Sequence, residues 1–243
     1  KLFFLIFGFQ LNKNISKDYN KTSGQKLCLS IQEMGTTFVK LGQFLVTRPD
    51  IIGENLAKDL ETLQDKLPAF SKSQASEIIK NELGEEFYNN ISDFSEPIAA
   101  ASIAQVHFAK IKINNEIKEV AIKILRPSIE KVFNEEIDAL MLLASLTENI
   151  LSKSKRLKLV EVVHLLREIT NLEMDLRFEA AAANELYENT KDDIGFNVPK
   201  IYWNFTTKNI LTLDRINGVS IRENEKLNKD GINTKKIAQN IIQ

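Results

Sequence analysis

Cysteine is almost absent from this chain: among 243 residues only Cys28 carries a thiol. A single cysteine cannot close an internal disulfide, and no Cys/His cluster has metal-ligand spacing. Disulfide scaffolds and zinc modules are therefore excluded, and a reducing compartment is expected. Cys28 lies among apolar residues and reads as core. An excess of either charge is lacking too. With 32 basic and 33 acidic residues the formal net charge is -1, which gives no global pull towards nucleic acid. His107 and His164, the two histidines, stand apart and read as core or surface groups. Long hydrophobic runs are also missing. The apolar opening Lys1–Phe9 falls far short of the ~20 residues of a spanning helix, and no small-residue cleavage pattern follows it. It reads as a helical turn packed on the domain or as a surface-seeking anchor. What is present, 43% apolar and 27% charged residues, is the composition of a folded soluble domain.

Hydrophobic periodicity organises the chain. Leu27, Ile31, Met34, Phe38, Leu41 and Leu45 recur at spacings of three and four, predicting one helix from Lys26 until Arg48-Pro49-Asp50 stops it. A second helix is expected from Gly53 to Leu63. A third is expected from Ser71 to Leu83, with Ser71 or Ser73 as cap and Gly84 as terminator. After Pro97 the period changes. Residues 103–113 and 118–125 read as strands joined at Asn114-Asn115, a dipeptide that tolerates the left-handed turn of a hairpin. Helices are predicted near 128–151 and 158–189, split by the basic stretch Ser152–Arg156. Val198–Trp203 and Ile210–Arg215 then predict a second hairpin, Asn217-Gly218 a break, and a last helix starts near Thr234. No internal repeat or low-complexity tract occurs.

Glycine is missing where its absence matters most. Glu96–Ile113 followed by Val120-Ala-Ile-Lys123 has the layout of a kinase nucleotide lid: a small-residue loop between strands, then a strand whose lysine reaches phosphates. Protein kinases place glycines in that loop; here stand Ala99, Ala100 and Ala101, which cannot adopt the φ > 0 conformations open to glycine. The fit over the phosphates must differ, as in a nucleotide site built for something other than ordinary protein phosphorylation. Lys123 must be paired or bind an anion if it is buried, because a lone buried ammonium is costly. The plainer reading is a strand-end lysine that reaches solvent, and the hairpin context favours the functional one. Its partner is expected among the carboxylates of Asn171–Glu179. Glu173 and Asp175, two apart, would point to opposite sides of a regular helix, whereas Asp175 and Glu179, four apart, would share a face. From spacing alone these read as a solvated helix. Leu213–Gly218 ends a strand before a break, and side-chain identity there says little. Gly42 inside the first helix, between Lys40 and Gln43, points to close helix packing.

Together these segments resemble the UbiB family of atypical kinases, also called AarF-domain proteins. Glu33–Asp50, with Lys40-Leu-Gly-Gln43, resembles the family's Lys-x-Gly-Gln segment. Ala99–His107 resembles its alanine-rich loop, Glu119–Pro127 its lysine strand, Glu173-Met-Asp175 its Glu-x-Asp motif, and Leu213–Gly218 its hinge. The resemblance covers about residue 25 to the end. It implies an α+β fold: a protein-kinase-like N-lobe of antiparallel sheet plus helices, with an N-terminal helical extension and the start of a C-lobe. The corresponding divisions are 1–25 as an apolar lead-in, 26–95 as the helical extension, 96–213 as the N-lobe, 214–218 as the hinge and 219–243 as the opening of the C-lobe. Within this frame Lys40, Gln43, Glu173 and Asp175 would be the catalytic set, with Lys40 and Gln43 lying against the two carboxylates where a protein substrate would sit. Ala99, Ala100, Ala101, Ser102, Lys123, Glu179, Asp214 and Ile216 would hold ATP or ADP, with Glu179 pairing Lys123. No residue of this chain is assigned to a metal.

The resemblance further implies ATPase activity in support of ubiquinone biosynthesis, with protein kinase activity blocked by the extension. It implies a membrane or a prenyl-quinone lipid as partner, other ubiquinone-biosynthesis proteins as possible partners, and no nucleic acid. The expected location is the cytoplasmic face of a bacterial inner membrane, or alternatively a mitochondrion. The family's His-x-Asp loop with its downstream Asn and its Asp-Phe-Gly metal ligand do not occur in these 243 residues; Asp93-Phe94 is followed by Ser95 and precedes the lid. Mg is therefore expected only together with the rest of the C-lobe, and this polypeptide alone is expected to be inactive, as a fragment of a longer enzyme or the product of an interrupted gene. A non-catalytic lipid-binding module switched by nucleotide is the alternative. A true protein kinase, which needs an open substrate groove, fits least.

Overall fold

The computed structural model describes residues 23–61, 63, 68–150, 155–221, 223–229, 231–234 and 237–239. The apolar lead-in up to residue 22 and the end of the last predicted helix lie outside them. The described chain is α+β, with helices and an antiparallel sheet of five strands.

Two compact units form. One gathers the described residues of 1–70, 99–105 and 125–174; the other gathers 71–98, 106–124 and 175–243. The first unit is helical: α1 (Ser23–Met34), α2 (Thr36–Val46), α3 (Pro49–Ile52), α4 (Glu54–Leu60), α6 (Ile129–Ile150) and α7 (Leu159–Glu173). Helices α1, α2 and α4 pack on one another, and α2 also packs on the α6–α7 hairpin. Leu27, Ile31, Val39, Leu45, Phe133, Ile137 and Leu166 form this core, each at most 2% exposed. The single helix expected from Lys26 is two helices. At Gly35 the backbone takes φ 107°, ψ -171°, a conformation open to glycine and not to a residue with a Cβ, and it ends α1 one residue before α2 begins. Gly42, by contrast, is helical and serves packing: a Cβ there would stand 2.6 Å from Leu63 Cδ1.

The second unit holds most of the sheet. It is entered through α5 (Lys72–Tyr88), which Ser71 caps as predicted, with Gln74 completing the reciprocal capping box. Gly84, at φ 81° and ψ 166°, breaks the helix as expected, and a further helical turn follows to Tyr88. The sheet order is β1 (Ile91–Ser92), β3 (Ala104–Ile113), β4 (Glu116–Leu125) and β5 (Ile210–Asp214), and β2 (Ala99–Ala100) pairs separately with β3. Asn114 and Asn115 have φ 49° and 66°, the left-handed pair a two-residue hairpin turn requires. Strands β3 and β4 each carry their chain from one unit into the other.

Two further expectations are corrected. The helix predicted over 158–189 breaks at Met174: Asp175 adopts extended φ -123°, ψ 96° and caps α8 (Leu176–Thr190) by accepting from the Arg177 N–H. An aspartate able to bond its own downstream backbone competes with helix continuation. The second hairpin is reduced to a single bridge between Ile201 and Leu213. Pro199 has no N–H for a ladder, and the chain turns at once into a 3-10 helix, Trp203–Phe205. The main partner of β5 is β4, with Lys123 opposite Leu211. A short helix, α9 (Asn224–Lys229), precedes the predicted last one.

Candidate functional site

In β4 the residues alternate: Val120, Ile122 and Ile124 are buried, while Ala121 and Lys123 face the other side of the sheet. Cross-strand partners share a face, so Leu211 and Leu213 stand on the Lys123 side, where α8 packs against β5. Leu176 and Ala180, both fully buried, seat that helix. Glu179 lies in its first turn, where the helix N-terminus favours a carboxylate. Its Oε2 accepts from Lys123 Nζ at 2.6 Å. Of the carboxylates left open by the spacing argument, Glu179 is the one that meets Lys123. Lys123 retains 27% side-chain exposure, so the cation is oriented yet still reachable.

At the end of β5, Asp214 is committed to its own surroundings. Its Oδ1 accepts from the Tyr202 hydroxyl at 2.6 Å and its Oδ2 from the Lys200 N–H at 3.3 Å, while its N–H donates to the Lys200 carbonyl. Burial and the Asp214 carboxylate push the Tyr202 phenol above its ordinary range. Ile216, two residues on, lies past the strand and is exposed.

In the helical unit, Lys40 of α2 pairs with Glu173 at the end of α7. The Lys40 side chain is 14% exposed and that of Glu173 40%, so the cation is enclosed while its carboxylate partner remains open to solvent. Gln43, a turn further along α2, is half-buried. Asp175, beyond the break, takes a bidentate bond from the Arg177 guanidinium at 2.8 and 2.6 Å, which holds its carboxyl below the usual range. Glu173 and Asp175 are thus not two positions of one helix but the last residue of α7 and the cap of α8.

The alanine loop belongs to the helical unit. Ala99 is exposed, Ala100 and Ala101 are half-buried, and Ser102 is fully buried, with its carbonyl accepting from the Thr36 hydroxyl at 3.2 Å. Two residues that the sequence reading passed over hold this loop. Arg126 bonds the Ala101 carbonyl, and Gln105, 1% exposed, bonds both the N–H and the carbonyl of Phe70. The available signal was a polar residue at an otherwise apolar strand end. None of the candidate residues lines the cavity of about 350 Å³ in the helical unit, which is bounded by Arg48, Asp50, Arg156, Lys158 and Val162. No group of three or more His, Cys, Asp or Glu suited to a metal occurs among the described residues. Among those residues, too, no helix is long and apolar enough to cross a membrane.

A family model described as ABC1 atypical kinase-like domain matches residues 62–243. A protein of Marinobacter nauticus named "Probable protein kinase UbiB" is 36% identical over 246 residues, covering 100% of this chain and 43% of that protein. A protein of the same name from Histophilus somni is 38% identical over 230 residues, covering 94% and 42%. One from Cellvibrio japonicus is 36% identical over 221 residues, covering 90% and 40%. The chain thus spans less than half the length of the curated relatives it matches.

Proposed function

Because the chain belongs to the ABC1 atypical kinase-like domain family, we propose that it is the ATP-binding portion of an atypical kinase-like ATPase supporting ubiquinone biosynthesis. The observation that carries this reading is the 2.6 Å pair of Lys123 and Glu179, a partly exposed ammonium held at a strand face by a carboxylate from the adjoining helix. A held lysine offers a point charge to phosphate oxygens without the entropy cost of ordering it during binding. Ile216 is assigned to the adenine edge through its backbone, since Asp214 spends its N–H and both carboxylate oxygens within the fold. The alanine loop, and Lys40 and Gln43 with Glu173 and Asp175 as a gate on the reaction, are assigned to the same nucleotide on the family resemblance. Magnesium would supply charge neutralisation on the phosphates when bound, through ligands outside this chain. The location proposed is the cytoplasmic face of a bacterial inner membrane.

The test is nucleotide titration of the 243-residue chain by calorimetry. Wild type should bind ATP or ADP, and Lys123→Met should weaken binding by about tenfold or more with little change in melting temperature. Absence of nucleotide binding by folded wild type would overturn the reading. A second reading, a lipid-binding module, is favoured by the exposed apolar edge of α6 at Leu142, Leu146 and Ile150. Flotation of the folded chain with lipid vesicles that changes when nucleotide is added, without ATP hydrolysis, would select the reading of a lipid-binding module switched by nucleotide.

A further inference from the structure

Arg126 follows β4 directly, three residues after Lys123, and its side chain is spent on backbone carbonyls. Its Nε and Nη2 donate to the Ala101 carbonyl at 3.1 and 2.8 Å, and its Nη1 donates to the Pro68 carbonyl at 2.9 Å. Its backbone N–H donates to the Ile103 carbonyl at 2.8 Å. Four donors of one residue thus hold the alanine loop at two points and fasten it to the segment Pro68–Phe70. Gln105 repeats the connection from within the loop, accepting from the Phe70 N–H at 2.9 Å and donating to the Phe70 carbonyl at 3.1 Å.

A glycine loop can be reshaped around phosphates because each glycine visits both signs of φ. No residue from Ala99 to Gln105 has positive φ, so this loop stays in conformations that alanine adopts freely. What then decides how it meets a ligand is the direction of its peptide planes. A peptide unit is rigid and planar, so turning the Ala101 carbonyl towards Arg126 turns the Ser102 N–H to the opposite side. Two charge-assisted donors on one carbonyl set that direction firmly. A lysine cannot substitute: its single Nζ has no planar fork to serve Ala101 twice and Pro68 at once.

We propose that Arg126 is the positioning residue of the alanine loop, orienting the Ala101–Ser102 peptide and thereby setting the relative affinity for ATP and ADP. The nucleotide part rests on the function proposed above; the hold on the loop does not. The experiment compares wild type, Arg126→Lys and Arg126→Ala as the full chain. It combines hydrogen exchange of peptides spanning 96–105, calorimetric Kd values for ATP and ADP, and thermal melting. Both variants should exchange faster at Ala101–Ala104 by roughly tenfold or more, and both should shift the ratio of the two Kd values. Exchange around Lys123 and Glu179 should be unchanged. If Arg126→Ala fails to fold, Arg126→Lys decides, since it keeps the charge and most of the stem. Wild-type exchange in the loop of a folded variant overturns the proposal, as does full rescue of both readouts by lysine. A loosened loop with an unchanged Kd ratio removes the positioning role and leaves Arg126 structural. Should wild type bind no nucleotide, the proposed function falls, and the exchange data alone decide whether Arg126 holds the loop.

Discussion

Lys123 and His107 sit on neighbouring strands of one sheet and show how the side of a strand decides what a polar residue does. Lys123 lies on the face where α8 brings Glu179, and it stays partly open to solvent. His107 is 0% exposed, stacks on Phe94 with centroids 4.4 Å apart, and bonds the Ser95 carbonyl through Nδ1 at 2.9 Å. That bond makes Nδ1 the protonated nitrogen of the neutral ring. Burial lowers its pKa from the ordinary 6.5, a shift that the Ser95 bond only partly opposes. A base with a lowered folded pKa binds fewer protons folded than unfolded. The stability it contributes is therefore present above about pH 6.5 and is lost as pH falls below that value towards the folded pKa. Titration of the His107 ring by NMR should give a midpoint below 6.5, and His107→Asn should flatten the loss of melting temperature on acidification below that pH. A midpoint at or above 6.5 would show that the ring is not held neutral by its surroundings.

At the scale of elements, the break between α7 and α8 places the end of one helix and the start of the next at the Glu-x-Asp segment, and Asp175 makes that break. Its side chain satisfies the Arg177 N–H at 3.1 Å, one of the donors a helix start leaves open. Asp175→Ala should cost about 1 kcal/mol in urea unfolding, whereas Asp175→Asn, which still caps, should cost a few tenths. Equal losses in both variants would mean that the charge, not the cap, holds α8 in place. The paired carboxylates were legible in the sequence; their placement was not, because a 3.6-residue period continues smoothly through Met174 and the competing bond is local. The same limit hid Gly35, where apolar spacing runs unbroken from Leu27 to Leu45 while the backbone turns at φ 107°. Elements whose signal is chemical were read well. The Asn114-Asn115 turn, the Ser71 cap and the Lys123 strand each rest on residue types that permit little else. Arg126 and Gln105 went unread because their partners are backbone carbonyls and N–H groups of remote segments, and no local pattern marks such a bond.

At the scale of the whole molecule, the helical unit is discontinuous in sequence, and its core depends on both parts. Phe133 and Ile137 of α6 are 0% exposed and Leu166 of α7 is 2% exposed, in a hairpin that α2 packs against. Helix α2, which α1 and α4 pack against, is therefore not an appendage to that hairpin but its cover, and Lys40 with Glu173 closes the same contact by charge. Truncating Phe133 to alanine should cost about 3–5 kcal/mol through lost burial and a residual cavity. Removing residues 1–70 should strip the hairpin of its cover, leaving an apolar face of α6 and α7 open to water. That shortened chain should bind a hydrophobic dye such as ANS more strongly, and associate more readily, than the intact chain. Lys40→Met, which removes only the ion pair, should keep the intact chain's dye response, because burial of the aliphatic stem and the leucines beside it carries the contact. A shortened chain that bound no more dye and associated no more than the intact chain would mean that the α6–α7 hairpin supports its own core, and that α1 to α4 can leave it without unfolding either part.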